Sequence, residues 1–332
     1  MDNIHKKSGM GRAIHFMLHN GKNPKWKYYV SAYRMALSPR WLRGKGVEAL
    51  LREAAARPDY ADMERRRDYC CRLTPGTDLG PGAPRISEIE IKGQKVYPLD
   101  ALRLAGRFSH SLHLRLLPGD ITYTPEYPSV TKSRPINDHN ANSVLLPLDR
   151  VRHMIFVDRD IPTMDKLPTA LFRGKVGAKE LRRELMRKFY GHPLVDVGDV
   201  ARRPERAEWW RPKLTIAEQL RYRYILAIEG NDVASNLKWV MSSNSIAVMT
   251  RPTVESWFME GTLRGGYHYI EVKPDFSDLV EKIEYYNAHP GEAAEIVKHA
   301  HEHVARFRDK RRELLTGIMV LEKYFRCTGQ RK

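Results

Sequence analysis

Residues 224–232 read Tyr224-Ile225-Leu226-Ala227-Ile228-Glu229-Gly230-Asn231-Asp232, an apolar run that ends in a polar turn. Five apolar residues bounded by turn residues are typical of a strand that is buried on both faces. A helix is predicted next, through Lys238, and a second apolar run follows at 245–249. The order strand, helix, strand predicts a parallel sheet with helices on both faces.

The alternation of strands and helices extends in both directions from this segment. The pattern predicts three further strands, at 169–173, 194–197 and 268–272. It predicts helices at 179–190, after the capping box Thr215-x-x-Glu218, near 254–259, from 277, and in a long last helix from 290 through Phe307. The second half of the chain is therefore predicted to be a Rossmann-like domain.

The first half has a weaker pattern. Its first 75 residues are rich in Arg, Ala, Leu and Tyr and are predicted to be mostly helical. Alternation around Lys92-Gly93-Gln94 predicts a hairpin between 89–91 and 95–97. Short strands are predicted at 121–124, 143–148 and 154–157. From the length we expect two domains, 1–160 and 161–332, the second ending in the long helix.

The charge of the chain restricts its partners. The 332 residues carry a formal net charge of +17, from 57 Lys and Arg against 40 Asp and Glu. Such a protein attracts polyanions, which include nucleic acid, an anionic membrane surface and phosphorylated substrates. Hydrophobic residues make up 42% of the chain, which is enough for a packed core. No run approaches the ~18 apolar residues of a membrane-spanning helix.

The compartment is predicted from the N-terminus and the cysteines. No apolar core of a signal peptide follows residues 1–8. The cysteines are Cys70, Cys71 and Cys327, and an odd number with two adjacent makes a poor disulfide framework. We therefore expect a reducing compartment, the cytosol.

The residues that follow the predicted strands are candidates for ligand binding, because open parallel sheets bind ligands at the carboxyl ends of their strands. One strand ends in Arg173-Gly174-Lys175, whose two cations can neutralise a diphosphate. Another ends at Gly230, which lets the backbone approach a ligand, and Ser235 begins the next helix. The pattern is that of a nucleotide-sugar site, and a glycine that only makes a turn is the alternative.

Four blocks of sequence stand out by their order and spacing: Thr131-Lys132-Ser133-Arg134-Pro135, 169–174, 222–239, and Glu255 to Leu279. Together they resemble glycosyltransferase family 90, which includes lipopolysaccharide-A-type bacterial proteins and eukaryotic protein O-glucosyltransferases. The resemblance covers about residues 115–285 and is closest to the bacterial branch. It implies an α/β fold of the GT-B type, two Rossmann-like domains facing a cleft, here with a helical N-terminal extension. It also implies inverting transfer from a nucleotide sugar held mainly by the C-terminal domain, with no bound metal or other cofactor.

The resemblance also implies a catalytic base, an Asp that follows an N-domain strand upstream of the lysine block. Asp120 matches that position best, and the alternative is a turn Asp after Gly119. Arg173 matches the family's Arg-Gly pair and is assigned to the diphosphate. Eukaryotic relatives carry an Arg shortly after the serine of the third block, where this chain has Asn236. Lys238 can replace the charge of that Arg but not its bidentate geometry.

Two more residues are candidates for contact with the nucleoside. Glu255 lies where GT-B enzymes often place an acid on the ribose, and a Glu that stabilises a helix N-terminus is the alternative. His268 either touches the nucleotide or packs as a strand histidine. The complete predicted donor set is Arg173, Gly174, Lys175, Gly230, Ser235, Asn236, Lys238, Glu255 and His268.

Other groups of polar residues suggest rival sites. Asp158-Arg159-Asp160 follows an apolar run, and paired carboxylates hold Mn²⁺ in other glycosyltransferases, but we interpret the triplet as a surface loop. Three histidines lie close together at 299, 301 and 303 without a His-Glu-x-x-His pattern, and we interpret them as a solvated helix face. We give the same interpretation to Arg182 and Arg183, one of which can match a second basic position of the family.

Aromatic residues are interspersed with Lys and Arg near the N-terminus, at Trp26, Tyr28, Tyr29, Tyr33 and Trp41. Such a segment can bind nucleic acid, rest on an anionic bilayer, or cover a domain as an amphipathic helix. We favour the cover, with membrane contact second.

These observations predict a cytosolic glycosyltransferase, and the net charge suggests a position at the inner face of the membrane. It would move a sugar from a UDP-sugar donor to a hydroxyl of a cell-surface glycan precursor, in lipopolysaccharide core or capsule. An anionic glycan or glycolipid acceptor and phospholipid headgroups fit the +17 charge, and no nucleic acid partner is expected. The alternative is a non-catalytic basic module that binds nucleic acid or an anionic membrane surface.

Overall fold

A computed structural model describes residues 21, 24–37 and 46–332 of the chain. The N-terminal residues 1–8 and Trp41, both used in the sequence analysis, lie outside the described residues. Among the described helices, none combines the length and the apolar character that are needed to cross a bilayer.

The described strands are β1 (Ser129–Thr131), β2 (Ser133–Pro135), β3 (Ser143–Leu145), β4 (Leu167–Gly174), β5 (Val195–Asp199), β6 (Tyr222–Leu226), β7 (Ile246–Met249), β8 (Val254–Ser256) and β9 (Ile270–Glu271). The described α-helices are α1 (Lys25–Leu37), α2 (Val47–Ala55), α3 (Tyr60–Cys70), α4 (Val96–Ala105), α5 (Arg150–His153), α6 (Glu180–Phe189), α7 (Ile216–Gln219), α8 (Leu237–Met241), α9 (Leu279–Ala288), α10 (Pro290–Ala305) and α11 (Lys310–Cys327).

The second half contains the predicted parallel sheet. Its five strands lie in the order β5-β4-β6-β7-β9, and every neighbouring pair is parallel. Alternate residues of the strands face different cores, because successive side chains of a strand point to opposite faces. Tyr224 and Val248 pack in a core with α6, α9 and α10, whereas Ile225 and Ala247 pack in a core shared with the first half. The sequence analysis therefore predicted an α/β architecture correctly.

The first half is built mainly from helices, and its described strands are only three residues long. β1 pairs with β3, and β2 pairs with β8 across the two halves of the chain. The described residues of this half therefore do not contain the second Rossmann-like sheet that the GT-B expectation requires. The two-domain GT-B arrangement stays a prediction.

The last helix, α11, crosses back to the first half. Ile318, Leu321 and Phe325 are buried in the core that also holds residues of α2, α3 and α4. Phe325 packs on Phe108 with ring centroids 5.0 Å apart. The long helix predicted from 290 through Phe307 is found as α10, which ends at Ala305. A further helix, α11, follows it, and Asp309 caps α11 by accepting two backbone N–H bonds. The domain limits 1–160 and 161–332 stay a prediction.

Four other local predictions were wrong. The hairpin at 89–97 is absent because 96–105 forms α4, whose buried Tyr97, Ala101 and Leu104 repeat with the period of a helix. The short helix near 254–259 is strand β8, which pairs with β2, a partner far away in the sequence. The segments 121–124 and 154–157 are irregular, and strand is found at 143–145.

Candidate active site

Lys132 lies between two carboxylates at the junction of the two halves. Its Nζ contacts Oδ1 of Asp120 and lies 2.6 Å from Oδ2 of Asp232. Asp120 and Lys132 belong to the first half, whereas Asp232 belongs to the loop that follows β6. We call these three residues the open cluster, because the side chain of Asp120 is 22% exposed while that of Lys132 is only 2% exposed.

Neighbouring groups orient the two carboxylates. Asn231 Nδ2 donates to Oδ2 of Asp120 over 3.2 Å, and the Tyr97 hydroxyl donates to Oδ1 over 3.4 Å. The Ser133 hydroxyl oxygen lies 2.8 Å from Oδ2 of Asp232. Since Asn231 comes from the loop after β6, Asp120 is held directly beside the carboxyl edge of the sheet.

The two carboxylates of the open cluster have pKa values displaced in opposite directions. Burial acts to raise the pKa of Asp120, but the hydrogen bond and charge of Lys132 outweigh it, so the pKa is lower than usual. Burial raises the pKa of Asp232 above its ordinary value despite the same lysine. Asp120 is therefore an ionised, partly exposed carboxylate at neutral pH, which is the state in which a general base accepts a proton.

Arg182 joins the loops that follow β4 and β6. Its guanidinium donates to the carbonyl oxygens of Lys175 (2.8 Å), Ile228 (2.8 Å) and Glu229 (3.1 Å). Burial lowers its pKa to about 10, so the cation persists at neutral pH. A Cβ at Gly230 would lie 2.9 Å from this guanidinium, which explains the glycine. The interpretation of Arg182 as part of a solvated helix face was wrong, because its guanidinium is hydrogen-bonded to the loops that follow β4 and β6.

Arg173 is held inside the sheet. One guanidinium nitrogen, Nη2, donates to both carboxylate oxygens of Asp196, each over 2.8 Å, and Nη1 donates to the Asp196 carbonyl oxygen over 3.0 Å. The Tyr222 hydroxyl shares the same carboxylate over 3.0 Å. The guanidinium is therefore already neutralised, and the assignment of Arg173 to a diphosphate stays a prediction.

The other predicted residues of these loops have different degrees of access. Lys175 and Ser235 are exposed. Gly174 ends β4 where a Cβ would lie 2.7 Å from the Phe172 ring. Asn236 donates to the carbonyl oxygen of Leu226 over 3.1 Å, so its side chain fixes the end of β6.

Lys238 and Glu255 are buried with partners of opposite charge. Lys238 Nζ lies 2.5 Å from Oε1 of Glu260, and we call this pair the sealed cluster, because both side chains are at most 2% exposed. Glu255 accepts from Arg134 Nε over 2.7 Å and from the Tyr69 hydroxyl, and so joins β8 to β2. Neither charge is available to a ligand in this arrangement.

His268 is partly buried. Its Nδ1 accepts from the backbone N–H of Arg264 over 3.0 Å, and its ring packs edge-on to His303. Burial, with the nearby Arg264 charge, lowers its pKa to about 4, so the ring is neutral at physiological pH. Its contact with a nucleotide stays a prediction.

The rival sites are occupied by internal contacts. Asp160 accepts from Lys166 Nζ over 2.8 Å, and Asp158 pairs with Arg308. The residues of 46–332 and the short segments before them contain no group of three His, Cys, Asp or Glu side chains placed to hold a metal ion. The histidines face separate partners: His301 meets the Ser243 carbonyl oxygen, and His303 is buried against that of Phe258. The interpretation of a solvated face was therefore wrong for His303.

The sequence analysis quoted Lys132 and Asp232 inside family-like blocks but did not select them. Asp232 follows a strand, which is the signal that selected its neighbour Gly230. Lys132 carries no such signal, because its partner Asp232 lies 100 positions further along the chain and only the tertiary fold brings them together.

Comparison with known proteins identifies the family of the chain. Residues 145–311 match the model of "Glycosyl transferase family 90". A relative from Dichelobacter nodosus, "O-glucosyltransferase LpsA", is 37% identical over 303 residues, covering 91% of this chain and 95% of the relative. "Uncharacterized protein 179R" of Invertebrate iridescent virus 6 is 32% identical over 94 residues, 26% of this chain and 8% of that protein. The protein is thus a glycosyltransferase with a sugar donor and a glycan acceptor as partners. More specifically, it belongs to glycosyl transferase family 90.

Proposed function

We propose that this glycosyltransferase moves a sugar from a UDP-sugar to a hydroxyl of a cell-surface glycan precursor, such as lipopolysaccharide core or capsule. The name of its Dichelobacter nodosus relative makes UDP-glucose the first donor to test. The observation that carries the mechanism is the open cluster, in which Lys132 holds the ionised Asp120 at the edge of the sheet.

In the proposed reaction, Asp120 accepts the proton of the acceptor hydroxyl while the oxygen of that hydroxyl attacks the anomeric carbon. The new glycosidic bond forms as the bond to the diphosphate breaks, and the UDP group leaves with its electron pair. Attack from the face opposite the leaving group inverts the anomeric configuration. Lys132 and Asn231 position Asp120, and no metal takes part in the proposed step.

The proposed donor site is the pair of loops joined by Arg182. Lys175 supplies an accessible cation, Gly230 permits close approach of the backbone, and Ser235 offers a hydroxyl. Arg173 can bind the diphosphate only if its guanidinium leaves Asp196 and pairs with a phosphate oxygen instead. Gly174 and Asn236 shape the strand ends, Lys238 and Glu255 act on the donor through the loops that they hold, and His268 is retained as a candidate nucleotide contact.

We also propose that the protein works in the cytoplasm at the inner face of the membrane. The net charge of +17 favours an anionic surface. Helix α1 adds an apolar contact, because Trp26 and Val30, one turn apart, are 66% and 62% exposed. Membership of a glycosyltransferase family sets aside the alternative of a non-catalytic module, and we expect no nucleic acid partner.

A panel of UDP-, GDP- and CMP-sugars tests the proposal. Thermal shift reports binding, because a ligand at about 100 times its Kd stabilises a fold by about 2.7 kcal/mol. We expect UDP and a UDP-hexose to stabilise the protein. NMR of the product should show an anomeric configuration opposite to that of the donor. Retention of configuration, or selective binding of GDP or CMP, contradicts the proposal.

A further inference from the structure

A cavity of about 300 Å³ lies in the first half, and two residues of its wall contact Asp120. Its wall includes Lys25 and Tyr29 of α1, Lys95 and Tyr97 at the start of α4, and Asp149 with Arg152. The volume lies at the lower end of the range that holds small ligands. All of these residues belong to the first half, so the cavity is separate from the Arg182 loops.

Two residues of the cavity wall contact the proposed base. The Tyr97 hydroxyl lies 3.4 Å from Oδ1 of Asp120, and an Arg152 guanidinium nitrogen lies 3.7 Å from the same oxygen. Tyr97 and Arg152 therefore connect the cavity with Oδ1 of Asp120, whereas Asn231, from the loop after β6, contacts the other oxygen, Oδ2. Contacts to the two different oxygens fit an acceptor and a donor that meet at the same base.

The cavity wall carries more positive than negative charge. Lys25 and Lys95 are exposed, and within the described part of the chain neither has a carboxylate in ion-pair contact. Arg152 is shared between Asp149, at 2.9 Å, and Asp120. Asp149 is buried in the wall, and its carboxylate can accept a bond from a ligand hydroxyl. The ring of Tyr29 adds an apolar surface for the carbon face of a sugar.

We infer that this cavity holds the acceptor, and that the acceptor is a sugar carrying a phosphate or carboxylate group that Lys25 and Lys95 recognise. The inference rests on the proposed function, and it adds the place of the acceptor and the charge of its substituent. The hydroxyls of the sugar face Asp149 and Asp120, and the acidic group faces the two lysines.

The test is direct titration of wild-type protein, saturated with UDP, with glucose, glucose 6-phosphate and glucuronic acid. We expect at least one acidic sugar to bind at least about fivefold more tightly than glucose, since two accessible charge pairs contribute modestly each. Comparing glucose 6-phosphate with glucuronic acid shows whether the cavity recognises a phosphate or a carboxylate. The double variant Lys25→Glu/Lys95→Glu should lose this preference while its UDP affinity stays the same.

The matched control is Lys27→Glu/Lys92→Glu. These lysines lie in the same two segments and are exposed, but they do not line the cavity. The control changes the net charge by the same amount and should keep the preference. Glu at position 25 begins a helix, where the helix dipole favours it, so the single variant Lys25→Glu serves if the double variant misfolds.

The outcomes separate the inference from the proposed function. Equal binding of all three sugars by wild-type protein, no saturable binding of either acidic sugar, or equal loss in the control pair overturns the acceptor cavity. A parallel loss of UDP affinity in the test variant assigns the cavity to the donor and also overturns it. Failure of UDP-sugar turnover with the sugar preference intact counts against the proposed reaction instead.

Discussion

Lys132 and Lys238 are both buried lysines held by carboxylates, yet only one of them belongs to a cluster that solvent can reach. Around Lys132, Asp120 is 22% exposed, whereas Glu260 beside Lys238 is 2% exposed. Both pairs carry the desolvation cost of buried charge. The ion pair of the sealed cluster holds α8 to the turn after β8, whereas the open cluster leaves a carboxylate partly accessible to solvent. Accessibility, rather than the presence of a buried ion pair, is therefore what distinguishes the candidate active site from the sealed cluster.

The largest effect is expected from breaking the open cluster at its accessible end. Asp120→Asn keeps the shape of the side chain but removes the group that accepts the proton. We expect kcat to fall by about 10²- to 10⁴-fold. UDP affinity should stay within about twofold, because Asp120 is not part of the donor loops and Asn keeps the side-chain oxygen that Asn231 contacts. Steady-state kinetics and titration with UDP measure the two effects.

Asp138→Asn is the matched control for Asp120→Asn, because Asp138 is exposed and lies outside the open cluster. It should retain wild-type kinetics. Full activity in Asp120→Asn would show that another residue is the base.

The sealed cluster should give the reverse result. Lys238→Met leaves Glu260 buried and unpaired, which costs about 3–5 kcal/mol of unfolding free energy. The folded fraction should keep its kcat within a few fold, because no charge of this pair faces the donor. Urea denaturation and assays normalised to folded protein measure both quantities.

The double variant Lys238→Met/Glu260→Gln should recover part of the lost stability, because it leaves no unpaired charge. If Lys238→Met instead abolishes turnover without changing stability, the distinction between the two clusters is wrong.

Asp149, beside the open cluster, adds a pH dependence. Burial raises the pKa of its carboxyl to about 6, so the folded state binds this proton more tightly than the unfolded state does. The associated stability is present at low pH and is lost as the pH rises from about 4 to about 6. Asn does not titrate and tolerates the left-handed backbone here, where φ is 55°. Between pH 4 and pH 7, the free energy of unfolding of Asp149→Asn should rise relative to that of wild type by up to about 3 kcal/mol.

Urea denaturation at these two pH values measures the gain of Asp149→Asn. Asp138→Asn should show no such change with pH. Stability curves of wild type and Asp149→Asn that run parallel from pH 4 to pH 7 would remove the buried-carboxyl explanation.

The smallest effect is expected at the donor loops. Arg182→Lys keeps the charge but cannot donate to three carbonyl oxygens in one plane. Losing one or two hydrogen bonds of about 1 kcal/mol each should weaken UDP binding by about five- to thirtyfold. Arg183→Lys is the control, since Arg183 pairs with Glu205 near the surface. This variant should bind UDP with wild-type affinity. Equal UDP affinities for both variants would separate the Arg182 loops from the donor.

The sequence was most informative where structure is local. The strands β4 to β7 were predicted because each is an apolar run between turns, and Thr215 with Glu218 forms the predicted capping box. The register of β2 with β8 was not predictable, since pairing between 133–135 and 254–256 depends on the assembled core. That pairing also turned a predicted helix into a strand.

The candidate site divides in the same way. Asp120 could be selected from its order relative to the lysine block, and Gly230 from its place after a strand. The ion-pair partners that determine whether each charged side chain is exposed or neutralised could not be predicted from the sequence. Arg173 finds Asp196 on the neighbouring strand, and Lys238 finds Glu260 beyond β8, so the exposure of each charge was known only once the fold was known.

The return of α11 to the first half has a consequence for how the polypeptide is made. Leu315, Ile318 and Leu321 complete a core whose other members begin at Val47. During synthesis the amino-terminal half emerges first, but its apolar interior lacks one wall until α11 has left the ribosome. If translation stops before residue 310, we expect the apolar surface of α2, α3 and α4 that α11 covers to stay exposed. Early termination is therefore a route to aggregation.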